Sequence, residues 1–335
     1  MEKIAFIIGG TFVYWSSIIM TLAIIAAMCA FVALYLGKSR NFYATWIALP
    51  LAMLLSAVLG RLVHWYCRTD GYPSLKAALT DYSWGSYALM GVFAGCILTA
   101  CILRVLRICR NLPEMLDSAA LAGGVGIAVG RLAFFFNASD RGLIVDADMG
   151  LPFAYPVTNP VSGLVENRLA TFLLQGIVTG CIVLAILLYR SEMRKKQLRI
   201  KDGDVCLLFL TAYCCSQILF DSTRYDSLFM RSNGFVSIVQ ILCAVTLVTA
   251  VVLFSVRMIR VNGFKKRYIW LWVGFLAFTG GAGFMEYYVQ RHGDLAHFAY
   301  GVMGSCLVAM CALVLLMRHL AVRKEMLVRK KRARR

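Results

Sequence analysis

Nine long apolar runs constrain this chain more than any other feature. They fall near residues 8–35, 43–65, 84–107, 118–136, 168–189, 204–221, 235–256, 268–288 and 296–317. A helix of about 20 apolar residues is long enough to cross a hydrocarbon core of roughly 30 Å. The apolar residues come as continuous runs rather than at amphipathic spacing. They make up 60% of the 335 residues, against 16% charged, and the mean hydropathy is +0.73. A soluble domain carries about a quarter of its residues as charges. The expected fold class is therefore all-α, a polytopic membrane helix bundle of about nine transmembrane helices. The fourth and sixth runs are the shortest.

Charge placement orients such a bundle. With the N-terminus outside, the inner segments are 36–42, 104–117, 190–204, 257–267 and 318–335. They hold 25 of the 35 Lys and Arg and six of the 17 acids, a net of +19, leaving −1 for everything else. The formal charge of +18 is thus a topology signal, and the positive-inside rule selects N-out, C-in. The basic tail, Arg329 to Arg335, lies next to a span. Attraction to anionic headgroups explains it better than nucleic acid does, so no nucleic-acid partner is expected. The first apolar run is too long for a cleavable leader and lacks a small-residue cleavage site. Most of the 12 cysteines lie inside spans as small apolar residues. Only Cys67 is expected near the outer surface. No Cys/His spacing suggests zinc, and neither a metal nor a cofactor is expected.

The loop from about 137 to 167 is long and carries Pro152, Pro156, Pro160, Gly142, Gly150 and Gly163, which marks it as functional. Before it runs Ala122-Gly123-Gly124-Val125-Gly126-Ile127-Ala128-Val129-Gly130. Its Gly126–Gly130 pair permits close approach of another helix. Tight packing explains the glycines but not Arg131, which follows them. Charges at a membrane border are expensive and each needs a reason. Arg61 ends the second run, and Asp221 and Arg224, three apart, would share one helical face. Glu166 opens the fifth run, where a carboxylate suits the positive helix end. Any one of these could snorkel to water. Five at one level with surplus arginine suit an anionic phospholipid headgroup, because guanidinium grips phosphate bidentately. His64, beside Trp65 and Tyr66, reads as part of an aromatic belt, with an acid–base role as the alternative. Glu286, His292, Asp294 and His297 form a second polar group, expected to be solvent-exposed.

Four stretches together resemble the prolipoprotein diacylglyceryl transferases. Gly130-Arg131-Leu132 to Asn137, then Gly142, is similar to the family's G-R-x-G-N-F-x-N-x-E-x-x-G. Pro160 with Leu164-Val165-Glu166 resembles H-P-x-x-L-Y-E. Asp221-Ser222-Thr223-Arg224-Tyr225-Asp226-Ser227-Leu228 resembles E-x-x-R-x-D-S-L. Gly234 to Leu242 resembles G-x-x-S-x-x-Q-x-L. Order and spacing agree across about residues 10–258. The chain departs from the pattern at Phe134 (family Asn), Ser139 (Glu), Met90 (His), Gln217 (Arg), Ser16 (Tyr) and Asp221 (Glu).

The resemblance implies a bacterial inner-membrane enzyme with seven family-like helices in residues 1–258. Two further helices (259–320) and a basic cytoplasmic tail (321–335) complete the expected organisation. It implies transfer of a diacylglyceryl group from phosphatidylglycerol to the lipobox cysteine of a prolipoprotein, whose signal peptide is the second partner. Arg131, Asp221 and Glu166 are then the candidate catalytic residues. Arg131, Arg224, Asn137, Gly142 and Arg61 are the candidates for binding phosphatidylglycerol or another anionic phospholipid. A base should titrate near working pH, and the imidazole position holds Met90, so Asp221, Glu166 or His64 would have to act instead. Two other readings stand beside this one. One is a non-catalytic relative that binds lipid or prolipoprotein; the other is a transporter, which would need polar residues through mid-membrane, and the spans show few.

Overall fold

A computed structural model describes residues 3–68, 71–80, 87–137, 139–145, 153–158, 163–196, 200–230, 233–292 and 295–333. Pro152, Pro160, Gly150 and Asp294 lie outside them. The helices are α1 (Trp15–Ser39), α2 (Phe42–Cys67), the short α3 (Leu75–Thr80), α4 (Leu89–Val105), α5 (Leu112–Gly130), α6 (Thr171–Lys195), α7 (Asp204–Thr223), α8 (Ile238–Asn262), α9 (Arg267–His292) and α10 (Ala296–Ala333). Among the described residues, eight helices are long and apolar enough to cross a membrane, and α4 is a shorter apolar helix of the same kind. Each of the nine apolar runs therefore overlaps one of these helices. Helices are what such runs must form, because lipid offers no partner for backbone N–H and C=O groups.

Among the described residues, three antiparallel hairpins, which the apolar runs do not announce, join this all-α frame: β1 (Ile4–Ile8) with β2 (Thr11–Tyr14), β3 (Ala154–Thr158) with β4 (Val165–Leu169), and β5 (Phe229–Met230) with β6 (Asn233–Ser237). The first takes residues 8–14 out of the first expected helix. Its turn is Gly9-Gly10, with φ of +55° and +83°. A two-residue turn with both residues left-handed matches strand twist, and glycine adopts it without strain.

Two compact units divide the chain. The first comprises residues 1–187, 201–206 and 223–238. Here α1 packs on α5 through the small residues read from the sequence. A Cβ added at Gly126 would stand 2.9 Å from Ala27 Cβ, and one at Gly130 would be 3.4 Å from Ala23 Cβ. A second small pair, Gly91 and Gly95 of α4, lies directly on the α2 backbone at Leu59 and Ser56, where any side chain would collide. Ser56 Oγ adds a hydrogen bond to Val92 O (3.0 Å). Asp117, buried in α5, accepts from the amides of Gly203 (2.9 Å) and Cys206 (2.8 Å). Its carboxylate thereby serves the positive N-terminus of α7, whose first amides have no partner within the helix. Nearby, Asp202 takes Lys38 at 2.6 Å and Asn111 at 2.8 Å.

The second unit comprises residues 188–200, 207–222 and 239–335. Its α9 and α10 pack along each other, and a Cβ at Gly281 would be 3.1 Å from Cys306 Sγ. Trp272 Nε1 donates to Ser255 Oγ (2.9 Å), and Asn262 Nδ2 donates to Leu320 O (2.8 Å), tying α8 to both. Met258, Tyr268 and Ala321 are fully buried between them. The polar group expected to face solvent does not do so as a whole: Glu286 is buried at 6% exposure. Its carboxylate accepts from Gln290 Nε2 (2.9 Å) on its own helix and from Ser222 Oγ of α7, and the partner on another helix explains what the local pattern could not show.

Candidate functional site

Arg131 sits where the Gly-rich helix gives out. As C-cap of α5 it keeps helical dihedrals, and the chain tightens into a 3₁₀ turn, Arg131–Phe136. A Cβ at Gly176 of α6 would come 3.2 Å from Arg131 Cβ, so the absent side chain makes room for the arginine. Beyond the turn, Asn137 Oδ1 accepts Ser139 N (3.0 Å), an Asx turn that reverses the chain. Asp140 then takes a left-handed conformation, φ 56°, which Asp tolerates better than most residues.

That reversal turns Asp140 onto two arginines. Arg131 Nη1 pairs with its Oδ2 and Arg224 Nη2 with its Oδ1. Asp140 is 3% exposed and Arg131 8%, so the carboxylate and one of its cations are almost wholly withdrawn from water. Asp226 completes the arrangement: Oδ1 takes Arg224 Nε (3.0 Å) and Oδ2 takes Asp140 N (2.9 Å). Arg141, also 3% exposed, donates from Nη2 to Phe134 O (2.9 Å) and Asn137 O (2.8 Å). Its guanidinium lies over the rings of Tyr155 and Phe172, 4.7 and 4.5 Å from their centroids. Burial pushes the Arg141 pKa below its usual value.

Gly142 closes the turn against α6. A Cβ there would overlap Thr171 Oγ1 and lie 3.2 Å from Leu169 Cβ, and Gly142 N donates to Leu169 O (2.8 Å). Glu166 and Arg168 lie on one face of β4, two residues apart, and pair at 2.7 Å. Arg168 also donates to Gly142 O (3.3 Å) and lies over the Tyr225 ring at 4.7 Å. Four guanidiniums (Arg131, Arg141, Arg168, Arg224) thus meet three carboxylates (Asp140, Glu166, Asp226). Exposed Arg68 adds a fifth cation by donating to Asp226 O (3.2 Å). Among the described residues the cluster carries surplus positive charge.

The expected residues are only partly united by this geometry. Arg131 and Arg224 meet on one carboxylate, with Asn137 and Gly142 forming the turn that presents it. Glu166 does not open a helix; it is a strand residue, and α6 begins at Thr171. Asp221 and Arg224 do not share a helical face, because α7 ends at Thr223. Asp221 is buried in the last turn of that helix. Arg61, 2% exposed, is engaged with aromatic rings: Nη1 reaches Tyr72 OH (3.4 Å), and its guanidinium lies 5.5 and 5.3 Å from the Tyr72 and Tyr87 centroids. His64 Nδ1 bonds the same Tyr72 OH at 2.7 Å. Asp140, Arg141 and Arg168 escaped the sequence reading, and Asp226 entered it only as part of the stretch resembling E-x-x-R-x-D-S-L. Asp140 is adjacent to Ser139, where the resembled pattern has its Glu, and this was the signal available.

A family model described as prolipoprotein diacylglyceryl transferase matches residues 3–256. The chain belongs to the prolipoprotein diacylglyceryl transferase family. Curated proteins named phosphatidylglycerol--prolipoprotein diacylglyceryl transferase are similar to it along most of their length. The one from Finegoldia magna is 26% identical over 256 residues, 74% of this chain and 94% of the relative. That of Bacillus licheniformis is 26% identical over 260 residues, covering 74% and 92%. For Lactobacillus delbrueckii subsp. bulgaricus the figures are 26% over 277 residues, 78% and 93%. The chain is thus a multi-pass membrane protein of this family, and α9 and α10 lie beyond the matched residues. Within the match, Phe134, at the family's Asn, gives its carbonyl to Arg141 and its ring to Arg131, 5.6 Å from the guanidinium.

Proposed function

We propose that this protein transfers a diacylglyceryl group from phosphatidylglycerol to the lipobox cysteine thiol of prolipoproteins. It would work at the outer face of a bacterial plasma membrane, N-out and C-in. The observation that carries this reading is the convergence of Arg131 and Arg224 on the single buried carboxylate of Asp140. In the reaction, sulfur bonds to the glyceryl carbon of the lipid while the carbon–oxygen bond to phosphate breaks. The bonding pair leaves with the phosphate, releasing glycerol phosphate, and the thiol gives up its proton. Negative charge grows on the leaving phosphate, and oriented cations in a water-poor site are the strongest available response. Asp140 holds both guanidiniums in place before substrate arrives, so little reorganisation is needed when that charge develops.

Under this reading Arg131 and Arg224 serve the phosphate, Asn137 and Gly142 the turn, and Arg61, at the end of α2, the headgroup. For the thiol proton we put forward Asp221, with Glu166 as second candidate. The prolipoprotein, presented by its signal peptide, supplies the thiol of its lipobox cysteine. Surplus positive charge across the cluster suits a phosphodiester, which carries one negative charge. Complementation tests the reading: the chain is expressed in a bacterium whose own diacylglyceryl transferase can be switched off. Growth with a diacylglyceryl mass shift on lipobox peptides, lost in Arg131→Ala, is expected. Failure to grow despite full-length protein in the membrane, together with failure to lipidate the host's peptides, would count against it.

A further inference from the structure

Helices α9 and α10 have no counterpart in the matched family region, yet their polar side chains reach the end of α7. Glu286 of α9 is buried, and its Oε2 accepts the Ser222 hydroxyl. Gln290, one turn on, donates to Oε1 (2.9 Å). From α10, Tyr300 OH donates to the backbone carbonyl of Ser222 (3.2 Å). That carbonyl belongs to the last turn of α7, where C=O groups lack partners within the helix. A buried carboxylate in an apolar helix is costly and needs a reason. Here it has one: both the side chain and the main chain of a single residue are fixed from two other helices.

Ser222 lies two residues before Arg224 in the chain, and α7 ends between them at Thr223. We propose that Glu286 and Tyr300 are positioning residues for the transfer reaction. Through the backbone they fix the exit of the chain from α7 and hence the placement of Arg224. The two extra helices are in this view a brace for the Asp221–Arg224 segment. Only the kinetic part of the claim rests on the transferase reading; the brace itself is a local structural statement.

The test combines hydrogen exchange with kinetics on the full-length protein in phosphatidylglycerol-containing nanodiscs. In Glu286→Leu and Tyr300→Phe, exchange of the amides of residues 221–228 should accelerate, while α1 and α5 keep their protection. Transfer to a lipobox peptide should fall roughly tenfold in kcat for Glu286→Leu, mid-range for coupled neighbours, with KM for the peptide unchanged. Glu286→Gln, whose carbonyl can still accept from Ser222, should restore most of the rate. In an Arg224→Ala background, Glu286→Leu should add little further loss, because the group it positions is gone. Unchanged exchange at 221–228 would overturn the brace whatever the activity. Losses that multiply between Glu286→Leu and Arg224→Ala would overturn the positioning role. A wild-type protein that transfers nothing would remove the transferase reading, while the exchange result would still decide the brace.

Discussion

Asp140→Asn removes a charge that Arg131 and Arg224 share, nearly preserving shape. Both carboxylate oxygens are engaged by guanidinium nitrogens, and the side chains of Asp140, Arg131 and Arg224 are 5%, 10% and 15% exposed. Breaking a buried ion pair by removing one partner costs about 3–5 kcal/mol, because the other charge stays buried. Two pairs are lost here, but they share one carboxylate and their energies do not add. Asp226 remains on Arg224 at 3.0 Å and compensates in part. The expected destabilisation is therefore about 3 kcal/mol, the lower end of that range. Asp226 is the control: its side chain is 19% exposed, and Asp226→Asn should cost about 1 kcal/mol, near the exposed-pair range. Equilibrium unfolding in bicelles, followed by a probe in the first unit, gives both values. An Asp140→Asn protein as stable as wild type, or one no worse than Asp226→Asn, would refute the claim that the site is organised around this carboxylate.

Three further outcomes are expected. Gly142→Ala should cost roughly 1–3 kcal/mol through overpacking, since its Cβ would overlap Thr171 Oγ1. Thr171→Ala in the same chain should recover much of that loss, measured by the same unfolding transition. Asp117→Ala should cost about 1–2 kcal/mol by leaving two amides at the α7 N-terminus without their acceptor, with hydrogen exchange rising at Gly203 and Cys206. Gly126→Val should separate α1 from α5, since even a methyl there meets Ala27 at 2.9 Å; loss of thermal stability in detergent checks it, and tolerance would refute the close packing.

The helices were legible because their cause is local. Each apolar run must satisfy its own backbone in lipid, so the runs alone located α1, α2 and α4 to α10. The Gly126–Gly130 pair likewise pointed to a close helix contact, though not to α1 as the partner. The hairpins were not legible, since β3 and β4 are short and their pairing joins residues 7–15 positions apart rather than following a repeating pattern. At the site, Arg131 and Arg224 stood out as charges beside apolar runs. Asp140 did not, because its role comes from a left-handed backbone and a contact with residue 224, neither of which leaves a local mark. Glu166 was misplaced for a related reason: a carboxylate ahead of a helix resembles an N-terminal charge, and only the β4 register, with Arg168 on the same face, shows its true partner. Glu286 has the local pattern of loop polarity, and its partner Ser222 lies 64 residues earlier in the chain.

The central claim is that the paired arginines serve transfer of the diacylglyceryl group. The direct measurement supplies purified protein with phosphatidylglycerol vesicles and a lipobox peptide, then follows peptide mass and released glycerol phosphate. The account predicts a diacylglyceryl mass increase matched by equimolar glycerol phosphate, slowed about a hundredfold or more in both Arg131→Ala and Arg224→Ala while each variant stays folded. Folded wild-type protein that binds phosphatidylglycerol but leaves the peptide mass unchanged would contradict it.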